Sequence, residues 1–306
     1  MRAEVLDQKF QAFSQRMKDR FKPLLSAPLH YTSVRRGLEM IPYLGARLPA
    51  WHRTHPFDRQ YGTDTSGVLS AQRIVTDKTP ASEICPYTGS QPSIIRRAIA
   101  ALGETDKFHF VDLGCGKGRA MIVATEFPFR SIRGVELSSR LARIARRNLA
   151  RVGRCFPARP PVAVVEGNAI TFPLPEGKIA LFLYHPFGLE LLSHLIIEME
   201  SFLSRGNGPL YLIYYNPVHG DVLDASPAFT RWYADTLPYD DSELGFGPDT
   251  EDNVVIWRSI NGEAATPHPH ADRPIIITKP KLRAELAESC GTHTLPAQGQ
   301  LMSPNN

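Results

Sequence analysis

Apolar runs and amphipathic stretches alternate through the middle of this chain. Short apolar runs rich in Val, Ile, Leu and Phe occupy 108–112, 132–136, 162–166, 179–184, 209–215, 228–235 and 253–258. These read as strands. Stretches with apolar residues at helical spacing fall between the first five, most clearly at 118–127, 138–151 and 188–204. A further helix leads into the first strand, with Pro92 near its first position and Gly103 past its end. Strand alternating with helix predicts an α/β fold, with a doubly wound, mostly parallel seven-stranded sheet and ligands at the carboxyl ends of its strands. The last two strands have no helix between them and are expected to pair as an antiparallel terminal hairpin.

The flanks follow other patterns. In 5–25, Leu6, Phe10, Phe13, Met17, Phe21 and Leu24 recur every three or four residues, with Lys and Arg on the remaining faces. This predicts an N-terminal basic amphipathic helix, which packs as a cap on the main domain. Residues 26–80 are rich in turn formers and read as an irregular wrap, with their histidines as packing or surface groups. From Asn261 the chain becomes polar and Pro-rich. The organisation expected is therefore a helical and irregular cap over 1–80, a ligand-binding domain over 81–261 and a disordered tail over 262–306.

At 306 residues with 42% hydrophobic and 22% charged content, the chain is that of an ordinary globular protein with one sizeable core. Its charge is unevenly spread. Residues 1–60 carry 11 Lys/Arg against 5 Asp/Glu, whereas 221–261 carry 9 acids against 2 Arg. Cys85, Cys115, Cys155 and Cys290 show neither CxxC spacing nor histidine partners at metal spacing, so neither a zinc site nor a disulfide framework is expected. No apolar run reaches the length of a membrane span, and the N-terminus has no signal-peptide core. A cytoplasmic location is the expectation.

The chemistry concentrates in Val111-Asp112-Leu113-Gly114-Cys115-Gly116-Lys117-Gly118-Arg119 and in Gly134-Val135-Glu136-Leu137. An apolar run ends in an acid and a tight glycine turn, a helix follows, and a second apolar run ends in Glu136. Glycines let a ligand approach bare backbone, and a helix start offers free N–H groups. Glu136 at a strand tip suits the two hydroxyls of a ribose, so the ligand contains a nucleoside. A dinucleotide fingerprint is G-x-G-x-x-G with an acid about 20 residues on. Here the third glycine comes one residue early and Asp112 precedes the first. That favours a ligand with an ammonium-bearing tail and no phosphate, S-adenosylmethionine, over a nicotinamide dinucleotide.

On these residues, on GVELS (134–138) and on EGNAI (166–170), the sequence resembles class I S-adenosylmethionine-dependent methyltransferases over roughly 85–260. The segment Phe57-Asp58-Arg59-Gln60-Tyr61-Gly62 is similar to one found in a group of bacterial methyltransferase-like proteins. The resemblance implies cofactor contacts at Asp112 (amino group), Glu136 (ribose) and the backbone of Gly114, Gly116 and Gly118. It also implies one at Asn168, where relatives often carry Asp for the adenine amino group. Tyr87 and Gln91 are candidates for the methionine end, and Lys117 and Arg119 for charge beside its carboxylate.

By the same resemblance the acceptor site follows the fourth strand, at Leu183-Tyr184-His185-Pro186-Phe187-Gly188. Enzymes that methylate exocyclic amines carry Asn/Asp-Pro-Pro-Tyr/Phe here. This chain departs from that pattern, which leaves Tyr184, His185, Pro186 and Phe187 as catalytic candidates, His185 as a candidate base, and Asn216 as a second acceptor-side candidate. The acidic, aromatic stretch Asp235 to Asp252 suggests a lid that attracts cationic groups. The expected acceptor is a nitrogen of a protein or small-molecule amine. A nucleic-acid acceptor is the alternative, motivated by Arg140, Arg143, Arg147 and Arg151 on one helix face. A non-catalytic binding protein that keeps the fold is a third.

Overall fold

The computed structural model describes residues 53–74, 83–247, 249–260 and 268–275, together with Gly37, Glu39 and Met40. The helix expected over 5–25 lies outside the described residues, as does all of the expected tail except 268–275.

Six helices and seven strands are used below. They are α1 (Pro56–Tyr61), α2 (Pro92–Ala101), β1 (Phe108–Leu113), α3 (Arg119–Ala124), β2 (Ser131–Glu136), α4 (Ser139–Cys155), β3 (Val162–Glu166), β4 (Lys178–Tyr184), α5 (Leu189–Ser204), β5 (Leu210–Tyr215), α6 (Asp221–Asp224), β6 (Phe229–Pro238) and β7 (Glu251–Ser259). The strands form one sheet in the order β3-β2-β1-β4-β5-β7-β6. The first five are parallel, whereas β7 runs antiparallel to both β5 and β6. The terminal hairpin is therefore as expected, with one addition: its second strand enters between β5 and β6. The hairpin contains a bulge between Arg231 and Tyr233.

Burial explains the continuous apolar runs. The central strands β1, β4 and β5 are covered on both faces, so both sets of alternating side chains must be apolar. One cluster, including Ile95, Phe110, Met121, Phe182 and Ile256, packs on the α2/α3 side. The other, including Val111, Leu181, Leu195, Leu212 and Trp257, packs beneath α5. In α2 the buried residues Ile94, Ile95, Ala98 and Ile99 form a single stripe. Its first turn is closed from a distance: a carboxylate oxygen of Glu243 accepts the Ser93 N–H at 2.9 Å, and the other accepts the Ser93 hydroxyl.

The segment expected to be irregular contains α1, whose signals are local. Pro56 occupies its first turn, His55 caps it by accepting the Phe57 N–H at 3.1 Å, and Gly62 ends it in the left-handed region at φ 66°. Phe57 and Tyr61 pack in the core with ring centroids 4.7 Å apart. Asp58 is fully buried and ties the next turn together. Its Oδ1 accepts the Thr63 and Thr65 hydroxyls, each at 2.7 Å, and the Thr65 N–H at 2.8 Å; its Oδ2 accepts the Ser66 hydroxyl. The FDRxYG segment thus builds a rigid wall against the sheet domain. Among the described residues, no helix is long and apolar enough to cross a membrane.

Candidate active site

The strand order reverses between β1 and β4, which opens a crevice at the carboxyl ends of the strands. A solvent-open cleft of about 980 Å³ lies there, bounded by the glycine turn after β1, the end of β2, the loop after β4 and residues 84–90.

The turn is folded onto β2. The N–H groups of Gly114 and Cys115 donate to the Val135 carbonyl at 2.9 and 3.0 Å, and the Gly116 N–H donates to Glu136 Oε2 at 2.8 Å. Glu136 Oε1 accepts the Ser138 N–H at 2.9 Å. Glu136 therefore organises the turn while facing the cleft, and each oxygen keeps a second lone pair for a ligand hydroxyl. Gly114 (φ 79°) and Gly116 (φ 55°) are left-handed, where side chains are strained. A Cβ on Gly116 would lie 2.3 Å from the Tyr87 ring. Gly118 is used differently: it lies off the cleft, and a Cβ there would press on Ala145 of α4 at 3.3 Å.

Asp112 and Glu136 are both buried and both line the cleft. Burial, joined by the neighbouring Glu136 charge, pushes the Asp112 carboxyl well above the usual range, and burial raises Glu136. The two cations in the turn do not relieve them. Lys117 Nζ donates to the Ser66 carbonyl at 2.6 Å and pairs with Asp64 at 3.2 Å. Arg119 donates to Thr65 Oγ1 at 2.7 Å and to the Ser90 carbonyl at 2.9 Å. Both are tied into the wall, and Arg119 also borders the cleft. Two buried carboxylates side by side in an open cleft are matched by a ligand that brings positive charge.

The other candidates separate by position. Asn168 borders the cleft, with its Oδ1 accepting the Ile170 N–H at 2.9 Å. Tyr87 borders it too, whereas Gln91 does not and faces a neighbouring chamber instead. Tyr184, Pro186 and Phe187 line the cleft. Pro186 lies close over the turn, since a Cβ on Gly114 would be 2.9 Å from its own Cβ. His185 is set apart. Its backbone turns into the left-handed region at φ 40°, its Nδ1 is 2.8 Å from the Tyr214 hydroxyl, and its ring packs on His219. Asn216 donates to Asp252 Oδ1 at 3.2 Å.

The acidic stretch is differently disposed from its reading as an attractive lid. Asp240 pairs with Arg97, Glu243 caps α2, and Asp252 accepts the hydroxyls of Tyr215 and Tyr239, each at 2.5 Å. These acids are engaged by the protein itself. The aromatics of the stretch do reach the site, because Tyr239 and Phe246 line a second chamber that meets the cleft at Tyr184.

The strand order, the reversed final strand and the glycine turn together identify the architecture. It is the architecture that the resemblance to class I S-adenosylmethionine-dependent methyltransferases implies. No protein-family model and no curated protein matches the sequence. Among solved structures, the chain is similar to TrmN from Thermus thermophilus at 17% identity and a TM-score of 0.40, over 57% of this chain and 49% of that one. It is also similar to an RNA methyltransferase from Salinibacter ruber in complex with S-adenosyl-L-homocysteine (16%, TM-score 0.36, 58% and 98% covered). A third is an O-methyltransferase from Bacillus cereus in complex with the same product (14%, TM-score 0.40, 56% and 82% covered). The chain thus spans about half the length of the Thermus protein.

Proposed function

We propose that the protein is an S-adenosylmethionine-dependent methyltransferase. The observation that carries this reading is the pair of buried carboxylates, Asp112 and Glu136, at the foot of a glycine turn. The cofactor would supply an electrophilic methyl group on a positively charged sulfur. Asp112 would take its ammonium group and Glu136 its ribose hydroxyls, with Asn168 beside the adenine. The turn, Tyr87 and Pro186 would hold it against bare backbone and exclude water. Methyl transfer needs alignment and dryness more than strong acid or base help. Tyr184 stands where the cleft meets the second chamber and Phe187 lines the cleft, so the acceptor would approach past them.

Calorimetric titration with S-adenosylmethionine and S-adenosylhomocysteine tests the reading. Saturable binding of both is expected, and its absence would refute it. A nitrogen acceptor remains compatible with the loop after β4, where a ring at Phe187 follows a proline. A nucleic-acid acceptor is the second reading, supported by the exposed Arg143 and Arg147 on α4. It requires RNA or DNA binding that weakens steeply with salt.

A further inference from the structure

Between Ser139 and Val165 the chain carries seven Arg and no Asp, Glu or Lys. Six of the seven stand on α4. At about 100° per residue, Arg143, Arg147 and Arg154 fall within about 40° of one another and form one row roughly 16 Å long. All three are exposed, and none has an ion-pair partner among the described residues. Like charges three and four residues apart repel across a helix face. The row therefore destabilises an isolated α4, and a polyanion laid along it would relieve that repulsion. The use of Arg throughout narrows the polyanion. A guanidinium forks onto phosphate with two parallel hydrogen bonds and stacks on flat rings, which an ammonium does not.

The row ends beside a groove. About 340 Å³ opens between the C-terminal half of α4 and the edge strand β3, lined in part by Leu149, Val152, Val162 and Val164. Phe156 also lines it and is 40% exposed, with the Arg159 guanidinium 4.0 Å from its ring centre. Arg159 is itself fixed, donating to the Thr125 hydroxyl at 3.1 Å. Apolar walls and a held aromatic ring thus border a row of free cations. Single-stranded nucleic acid is bound through that combination, with bases on the stacking surface and phosphates on the charge. A duplex keeps its base faces covered, and an acidic peptide has none.

We infer that this face is a docking surface for single-stranded nucleic acid, with phosphates along Arg143, Arg147 and Arg154 and a base in the groove against Phe156. A row of roughly 16 Å matches the length of about five stacked nucleotides. The groove shares no described residue with the cleft, so the strand is held apart from the methyl donor and the inference stands beyond the choice of acceptor.

The test uses the full chain and a labelled single-stranded RNA of about 12 nucleotides, with its DNA counterpart and the RNA duplex as further arms. Fluorescence anisotropy is read between about 50 and 200 mM salt. Saturable binding of the single strand is expected, falling about tenfold or more over that range, with DNA close to RNA and the duplex weaker. Combining Arg143→Gln, Arg147→Gln and Arg154→Gln is expected to weaken binding about tenfold or more and to flatten the log–log salt slope by about 2. Phe156→Ala is expected to weaken it about fivefold or more at unchanged slope. Wild-type melting curves in both variants show that they are folded. S-adenosylhomocysteine binding is measured separately; its failure removes the methyltransferase reading and leaves this inference standing. No single-strand binding at about 50 mM salt, a duplex bound as tightly as the single strand, an unchanged slope in the triple variant, or an unchanged affinity in Phe156→Ala would each overturn the inference. So would tighter binding to phosphatidylserine vesicles that is lost in the same triple variant, which would assign the face to a membrane surface.

Discussion

Asp58 gives the sharpest quantitative test of how the wall is held. It is fully buried and accepts four hydrogen bonds from Thr63, Thr65 and Ser66. Burial alone would raise its pKa, but the Arg119 charge and these bonds prevail and hold it down to about 2 from 3.8. A depression of roughly 2 units is about 2 to 3 kcal/mol of preference for the ionised, folded form. Truncation would also leave the Thr65 N–H and the Arg119 charge uncompensated in the interior, so Asp58→Ala should cost about 3 to 5 kcal/mol at pH 7. Urea denaturation of wild type, Asp58→Ala and Asp58→Asn across pH measures this. Because the folded pKa is depressed, the contribution is complete above the unfolded value and is lost as pH falls toward 2. The wild-type advantage over Asp58→Asn should therefore shrink by about 2 to 3 kcal/mol between pH 5 and pH 2. An Asp58→Ala cost below about 1 kcal/mol, or a gap that does not change with pH, would refute the reasoning.

Asp112→Asn should stabilise the ligand-free protein against heat, because it removes an ionisable group that burial disfavours, while weakening S-adenosylmethionine at least about tenfold; paired melting curves and calorimetry check the two opposite signs. Wild-type affinity for that cation should fall as pH is lowered, because Asp112 must give up its proton when positive charge binds; titrations in two buffers of different ionisation enthalpy read the released proton. Gly116→Ala should impair binding by straining φ 55° and displacing Tyr87, and adding Tyr87→Ala should restore part of the loss. Asp252, raised by burial to about 6 from 3.8, should make wild type gain about 2 to 3 kcal/mol relative to Asp252→Asn as pH drops from 7 to 4. A stability difference that is flat across that window would exclude the shift. His185→Ala should retain S-adenosylmethionine affinity, since its ring is held by Tyr214 and His219 rather than by the cleft; a large loss would place it in the site.

The parallel core and the glycine turn that borders the cleft were legible because each rests on local signals. Doubly buried strands must be continuously apolar, and a turn that crosses φ values of 55° to 84° selects Gly114, Gly116 and Gly118. What escaped the sequence is where charged side chains go. Lys117 and Arg119 were candidates for charge beside the cofactor carboxylate; the sequence does not show that both hydrogen-bond into 64–66 and Ser90, because a distant segment supplies those acceptors. Asp240, Glu243 and Asp252 read as part of an electrostatic lure, yet their partners Arg97, Ser93, Tyr215 and Tyr239 are spread over some 150 positions of chain and are visible only after folding. His185 follows the fourth strand as the resemblance implies, but its backbone is left-handed and its ring packs against Tyr214 and His219, an arrangement that spacing alone does not encode. The short helix α1 was signalled by Pro56 and Gly62, within a stretch whose turn-rich composition masked it.

The place of β7 has a consequence for biosynthesis. This strand is made last, yet it fills the slot between β5 and β6. Until the ribosome has released Ser259, β5 carries an open edge and β6 has no neighbour at all. The nascent protein thus passes through a stage in which a sticky, apolar border is bare, the condition under which chains pair wrongly with one another. Premature termination upstream of Glu251 would freeze that stage, leaving a product that needs a chaperone's shelter or meets a protease.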